Sequence, residues 1–116
     1  MHNKDFGNWG EERAAEYLIK KGYKILCTNF NSYRGEIDIV AKDEKDLVFC
    51  EVKTRRNIEY GMPIEAVNYY KRKHLYATAE YYLYKNGIRN IPVRFDVIEV
   101  LLLNHKLTIH HVKDVM

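Results

Sequence analysis

The chain has 116 residues, 47% of them hydrophobic, which is the size of one domain with enough apolar material for a core, so a single domain over 1–116 is expected. No stretch approaches the ~18 consecutive apolar residues of a membrane span, and Met1 to Glu12 is polar without the apolar centre of a secretion signal, so a cytoplasmic protein with no membrane partner is expected. The formal net charge of +3 is too mild to demand nucleic acid, yet Arg55, Arg56, Lys71, Arg72 and Lys73 crowd the middle of the chain, where phosphate contacts are expected.

From Phe6 to Lys20, the spacing of Ala14, Ala15, Leu18 and Ile19 is helical, and Gly22 follows as a stop. Glu11 precedes Ala14, Ala15 and Leu18 by three, four and seven residues, so it lies on the core-facing stripe, while Glu12 and Glu16 face outward. A glutamate there either favours the positive end of the helix dipole or serves a site. Tyr23 to Phe30 is a β-prone run, and Asn31 to Gly35 carries turn chemistry. Glu36 to Ala41 and Leu47 to Thr54 read as two strands joined by Lys42 to Asp46, a hairpin.

After a loop from Arg55 to Met62, Pro63 suits a first helical turn, and Ile64, Val67, Leu75, Ala79 and Tyr82 recur at helical spacing up to Gly87. Lys71 falls in the middle of that apolar stripe and either snorkels out or reaches an anion. The tyrosines of this helix point around it and suit packing or a dimer surface better than a strip of stacked bases. Val93 to Leu103 and Leu107 to Val112 read as two further strands about an Asn104–His105 turn. The order αβββαββ predicts an α/β fold, a mixed sheet flanked by helices. Cys27 and Cys50 sit in apolar runs, not in a CxxC pair, and suggest neither a disulfide nor a zinc knuckle. Adjacent His110 and His111 face opposite sides of a strand and read as surface residues, and Arg94 with Asp96 reads as a same-face ion pair.

The chemistry concentrates in the hairpin. Glu36 and Asp38 alternate with Ile37 and Ile39, and Glu51 and Lys53 share a face in the next strand. If those strands pair, Asp38, Glu51 and Lys53 converge on one sheet face. Carboxylates and an ammonium in strands otherwise suited to burial are costly unless paired or bound to metal. A salt bridge from Lys53 to a carboxylate is the commoner reason for such a charge pattern. Hard oxygen donors without histidine or cysteine at matching spacing would select Mg2+ or Mn2+, cations that polarise a phosphoryl oxygen and acidify water.

The segment RGEIDIVAKDEKDLVFCEVKTR, from Arg34 to Arg55, resembles the PD-(D/E)xK nuclease superfamily. Gly7, Glu11, Ala14, Tyr17 and Leu18, then Gly22–Tyr23, GEIDIV, EVKTR, Ala66–Val67 with Lys71, and Arg94-Phe95-Asp96-Val97 look like the YraN-like family of small bacterial proteins. That family is endonuclease-like and similar to archaeal Holliday junction resolvases. The resemblance spans Gly7 to Val100 and implies a restriction-endonuclease-like fold. It also implies metal-dependent hydrolysis of phosphodiester bonds in DNA, with branched or structured substrates. It puts the metal-binding aspartate at Asp38, the second acidic ligand at Glu51, the catalytic lysine at Lys53 and the helix glutamate of resolvase-like members at Glu11. Ile37 stands where the signature has proline, a common departure. A resolvase-like function would suit a two-fold homodimer, since a four-way junction offers two symmetry-related strands. The competing reading is a nucleic-acid-binding module that keeps the fold without turning over.

Overall fold

In the computed structural model, residues 3–56 and 69–116 are described. They form α1 (Asn3–Lys20), β1 (Lys24–Ser32), β2 (Gly35–Asp43), β3 (Asp46–Arg55), α2 (Tyr69–Lys85), β4 (Val93–Leu103) and β5 (Lys106–Val112). This is the expected αβββαββ order. The strands make one five-stranded sheet in the order β1-β2-β3-β4-β5. The β3–β4 pair is parallel and its neighbours are antiparallel, so the sheet is mixed. Parallel neighbours need a crossover connection, and α2 lies on the one between β3 and β4. The expected helical start at Pro63, with Ile64, Ala66 and Val67, lies outside the described residues.

Each face of the sheet has its own core. On one, Ala14 and Leu18 of α1 pack with Ile39, Ala41, Val48, Cys50, Val52, Ile98 and Val100. On the other, Leu75, Ala79 and Tyr82 of α2 pack with Phe30, Val40, Phe49, Phe95 and Val97. This three-layer arrangement is the restriction-endonuclease-like α/β fold. Central β3 is buried from Leu47 to Cys50 without alternation, as a strand covered on both faces must be.

Helix α1 ends on Gly22, whose φ of +94° only glycine adopts freely. The Tyr23 amide donates to the Leu18 carbonyl at 2.9 Å and that of Gly22 to Ile19 at 3.0 Å, a Schellman closure that turns the chain into β1. At its other end α1 lies so close to β3 that a Cβ on Gly10 would overlap the Thr54 side chain. That approach carries Glu11, the next residue, to the sheet.

A polar network lies under α1. The Arg94 guanidinium meets Asp96 at 2.9 and 3.0 Å, the expected ion pair, and also donates to Tyr23 Oη at 2.8 Å. His110 is exposed as expected. His111 corrects the surface reading: its side chain is only 5% exposed, with Nε2 2.7 Å from Asp96 Oδ2 and Nδ1 3.1 Å from Tyr17 Oη. Alternation on β5 turns it inward, and a fully buried carboxylate on β4 gives it a partner.

Candidate metal centre

The β2–β3 ladder runs from Asp43↔Asp46 at the turn to Ile39↔Cys50 and goes no further. Beyond that pair, the Val52 amide donates to Asp38 Oδ2 at 2.7 Å, so a carboxylate takes the place of a strand partner where the two strands part. β1 stays paired past this point through Phe30↔Ile37 and Asn31↔Glu36. Glu36 and Asp38, two residues apart, therefore project at the mouth of the fork.

Glu11 arrives from α1. Ligand-type oxygens of Glu11, Glu36 and Asp38 all lie within 4.8 Å of one another. Asp38 has its carboxyl pushed up to about 7, first by burial, then by the charge of Glu51, against the pull of the Val52 amide. Burial and Glu36 also raise Glu11, while hydrogen bonds from Asn29 and Asp38 act the other way. The Asn29 amide, with its nitrogen toward the acids, donates to Glu11 Oε2 at 2.9 Å and to Glu36 Oε1 at 3.2 Å. Asn29 takes a φ of +53°, a conformation in which asparagine is the commonest residue after glycine.

Of the residues expected from sequence, Glu11 and Asp38 are brought together. Glu51 stands outside their trio, within electrostatic reach of both acids, and its carboxylate is 3.3 Å from Lys53 Nζ. Lys53 lines a cleft of about 280 Å³ with Phe6, Gly7, Glu11, Val52 and Thr54. On the other side of Glu11 a second cleft, of about 350 Å³, runs along Asn8, Glu12, Ala15, Thr28 and Asn29.

The basic residues divide. Arg55 holds Glu99 at 3.0 Å, with side chains 13% and 8% exposed, so a phosphate reaching it would compete with that pair. Arg56 is exposed and lies over the Phe6 ring at 4.2 Å. Arg72 and Lys73 are exposed on α2, whereas the side chain of Lys71 lies outside the described residues.

Sequence reasoning missed Glu36 as a member of the cluster, although its alternation with Ile37 had already put it on the face of Asp38. It missed Asn29 entirely, because only the strand register, which sets Asn29 across from Asp38, reveals that role.

An all-oxygen donor set fits a hard divalent cation, and Asp38, raised first by burial and then by neighbouring acids, is a carboxylate whose charge such a cation would offset.

The family model described as "Uncharacterised protein family UPF0102" matches residues 10–100. A UPF0102 protein of Clostridioides difficile is 50% identical over 107 residues, covering 92% of this chain and 94% of its own. Another, from Caldicellulosiruptor saccharolyticus, is 44% identical over 98% of both chains. A third, from Clostridium acetobutylicum, is 49% identical over 91% of this chain and 88% of its own. With the fold and the carboxylate fork already in place, these matches over nearly the whole length mean that the chain belongs to UPF0102, the YraN-like family of PD-(D/E)xK nuclease-like proteins.

Proposed function

We propose that this protein is a metal-dependent endonuclease that hydrolyses phosphodiester bonds in DNA, with branched or structured DNA as its substrate class. The observation that carries this reading is the meeting of Glu11 from α1 with Glu36 and Asp38 at the β2–β3 fork, beside a cleft lined by Lys53. Glu11, Asp38 and Glu51, joined by Glu36, would hold Mg2+ or Mn2+. A bound divalent cation would supply electrophilic assistance to the phosphodiester and acidify water.

The chain's own groups do the rest. Asp38 keeps a fixed orientation through the Val52 amide, and Asn29 steers Glu11 and Glu36. Lys53 brings an ammonium, 30% exposed, to the cleft, where it can orient water or offset negative charge growing on the phosphoryl oxygens. Arg56, Arg72 and Lys73 are exposed and suited to phosphates, with Lys71 and Arg55 in the same stretch of chain. Activity belongs in the cytoplasm, with a two-fold homodimer suited to a four-way junction. No helix among the described residues is long and apolar enough to cross a membrane.

The test is incubation of the wild type, Asp38→Asn and Lys53→Ala with labelled linear, flapped and four-way-junction DNA in Mg2+ or Mn2+. Wild type cuts, Asp38→Asn does not, and Lys53→Ala is slower by about 10²-fold at an unchanged melting temperature. If Lys53 served only to bridge Glu51, its loss would instead cost roughly 3 kcal/mol of stability. No cutting of any substrate by the wild type would leave a binding module with the nuclease fold.

A further inference from the structure

The β1–β2 hairpin turns through Tyr33 and Arg34, between the paired Ser32 and Gly35. Tyr33 is 88% exposed, yet the turn around it is tied down. The Arg34 amide donates to Ser32 Oγ at 3.1 Å, and Ser32 Oγ lies 3.5 Å from Thr78 Oγ1 on α2. His74 Nδ1 is 2.8 Å from the Arg34 carbonyl; since a carbonyl only accepts, that nitrogen carries the proton. A Cβ on Gly35 would come 3.2 Å from Thr78 Oγ1, so hairpin and helix meet without room for another side chain.

The two side chains at the tip are also matched. Arg34 Nε donates to Tyr33 Oη at 2.9 Å, and the guanidinium carbon lies 5.1 Å from the ring centroid. The ring is thus held in one orientation while nearly all of its surface faces water. Ordering an exposed aromatic costs entropy without the gain of burial, a cost that binding recovers when a ligand covers the ring. A flat, anionic ligand uses both groups: its plane stacks on the ring and its charge meets the guanidinium.

The location narrows the ligand. Asp38 follows Gly35 by three steps along β2, about 10 Å at strand spacing, so an occupant of the tip lies within a few nucleotides of the carboxylates. Bases inside a duplex already have both faces stacked. We propose that Tyr33 and Arg34 form a stacking platform for an unpaired nucleobase and its phosphate, on the strand that runs to the carboxylate fork. This rests on the nucleic-acid reading above and adds the feature it recognises: a single-stranded segment, flap or opened junction.

Fluorescence anisotropy in EDTA, with a short labelled single strand and a blunt duplex of the same sequence, tests it apart from cleavage. Tyr33→Ala should weaken single-strand binding about tenfold, the loss typical of one stacked base, and leave duplex binding and the melting temperature unchanged. Tyr33→Trp should bind the single strand at least as tightly as wild type. Equal single-strand binding by wild type and Tyr33→Ala overturns the platform, as does an equal loss on both probes. The nuclease reading fails separately: Tyr33-dependent binding with no cutting by wild type in Mn2+ supports the platform alone. Mn2+-dependent cutting with Tyr33-independent binding removes the platform alone.

Discussion

At the scale of single residues, two aspartates, half-buried Asp38 and buried Asp96, are held in opposite senses. Asp38 sits among acids, and burial followed by Glu51 raises its carboxyl to about 7. The folded protein then keeps a proton that the unfolded chain releases near pH ~4, so this group's contribution to stability falls as pH rises from about 4 through about 7. In EDTA, Asp38→Asn should therefore be more stable than wild type at pH 8, with the gap closing toward pH 5, read from urea midpoints. Mn2+ should reverse the order at pH 8, since a cation that binds only the folded wild type raises its stability by mass action. Asp96 is the contrary case. Burial would raise it, but hydrogen bonds from His111, Arg94 and the Asp114 amide outweigh that and hold it below the ordinary value. Its stabilisation is present above about pH 4 and lost as pH falls through the lower folded value. Asp96→Asn takes from Arg94 its buried carboxylate and leaves it the more exposed Asp43 at 3.2 Å and Asp46 at 3.4 Å, and should cost about 2 kcal/mol at pH 7 in urea unfolding. The deficit should shrink in acid. Alternation with apolar residues is the same around both; the sequence offered the Arg94 partner of Asp96, two residues away on its own strand, whereas His111, Glu11 and Glu51 arrive from other elements.

At the scale of elements, the site depends on how tightly α1 seats on β3. A glycine inside a helix normally costs up to about 1 kcal/mol against alanine, so Gly10→Ala would be expected to stabilise on propensity alone. Here the added Cβ would overlap Thr54, and the sign reverses. Gly10→Ala should destabilise by about 1–3 kcal/mol and weaken Mn2+ binding through displaced Glu11, with a double-mutant cycle against Thr54→Ala showing strong coupling in thermal melts. Element order was legible because the hydrophobic period changes cleanly between Leu18, Ile37–Ile39 and Leu75. So was the pairing of Glu36 with Asp38 on one face, although nothing in alternation says which face meets a helix. Asn29 and His111 were not legible. Asn29 gains its role from the register that sets it opposite Asp38 and from Glu11, 18 positions earlier, whereas His111 needs Tyr17, 94 positions away. Periodicity reports which way a side chain points, not what a distant element brings to meet it.

At the scale of the whole molecule, a net charge of +3 is the balance of 19 basic and 16 acidic residues, and location decides which of them a polyanion can use. Adjacent Arg55, the last residue of β3, and Arg56, just beyond it, separate the alternatives because their side chains meet different partners. Arg55 turns to the β4 side and meets buried Glu99, while Arg56 lies exposed over Phe6, a residue lining the Lys53 cleft. Binding that rests on phosphates weakens with salt, with a slope of about −0.9 per phosphate neutralised on B-DNA. Arg56→Ala should flatten that slope by about one unit without altering sequence preference, and should leave the melt within about 1 kcal/mol, the worth of an exposed cation–π contact. Arg55→Ala should do the reverse: the slope is kept, and roughly 3 kcal/mol of stability is lost because Glu99 is left buried without its partner. Anisotropy titrations across a salt series, paired with urea melts of both variants, distinguish the two. A flattened slope with an unchanged melt for Arg55→Ala would mean that its guanidinium leaves Glu99 for the backbone of the nucleic acid, and that the exposed surface extends further along β3 than the free protein displays.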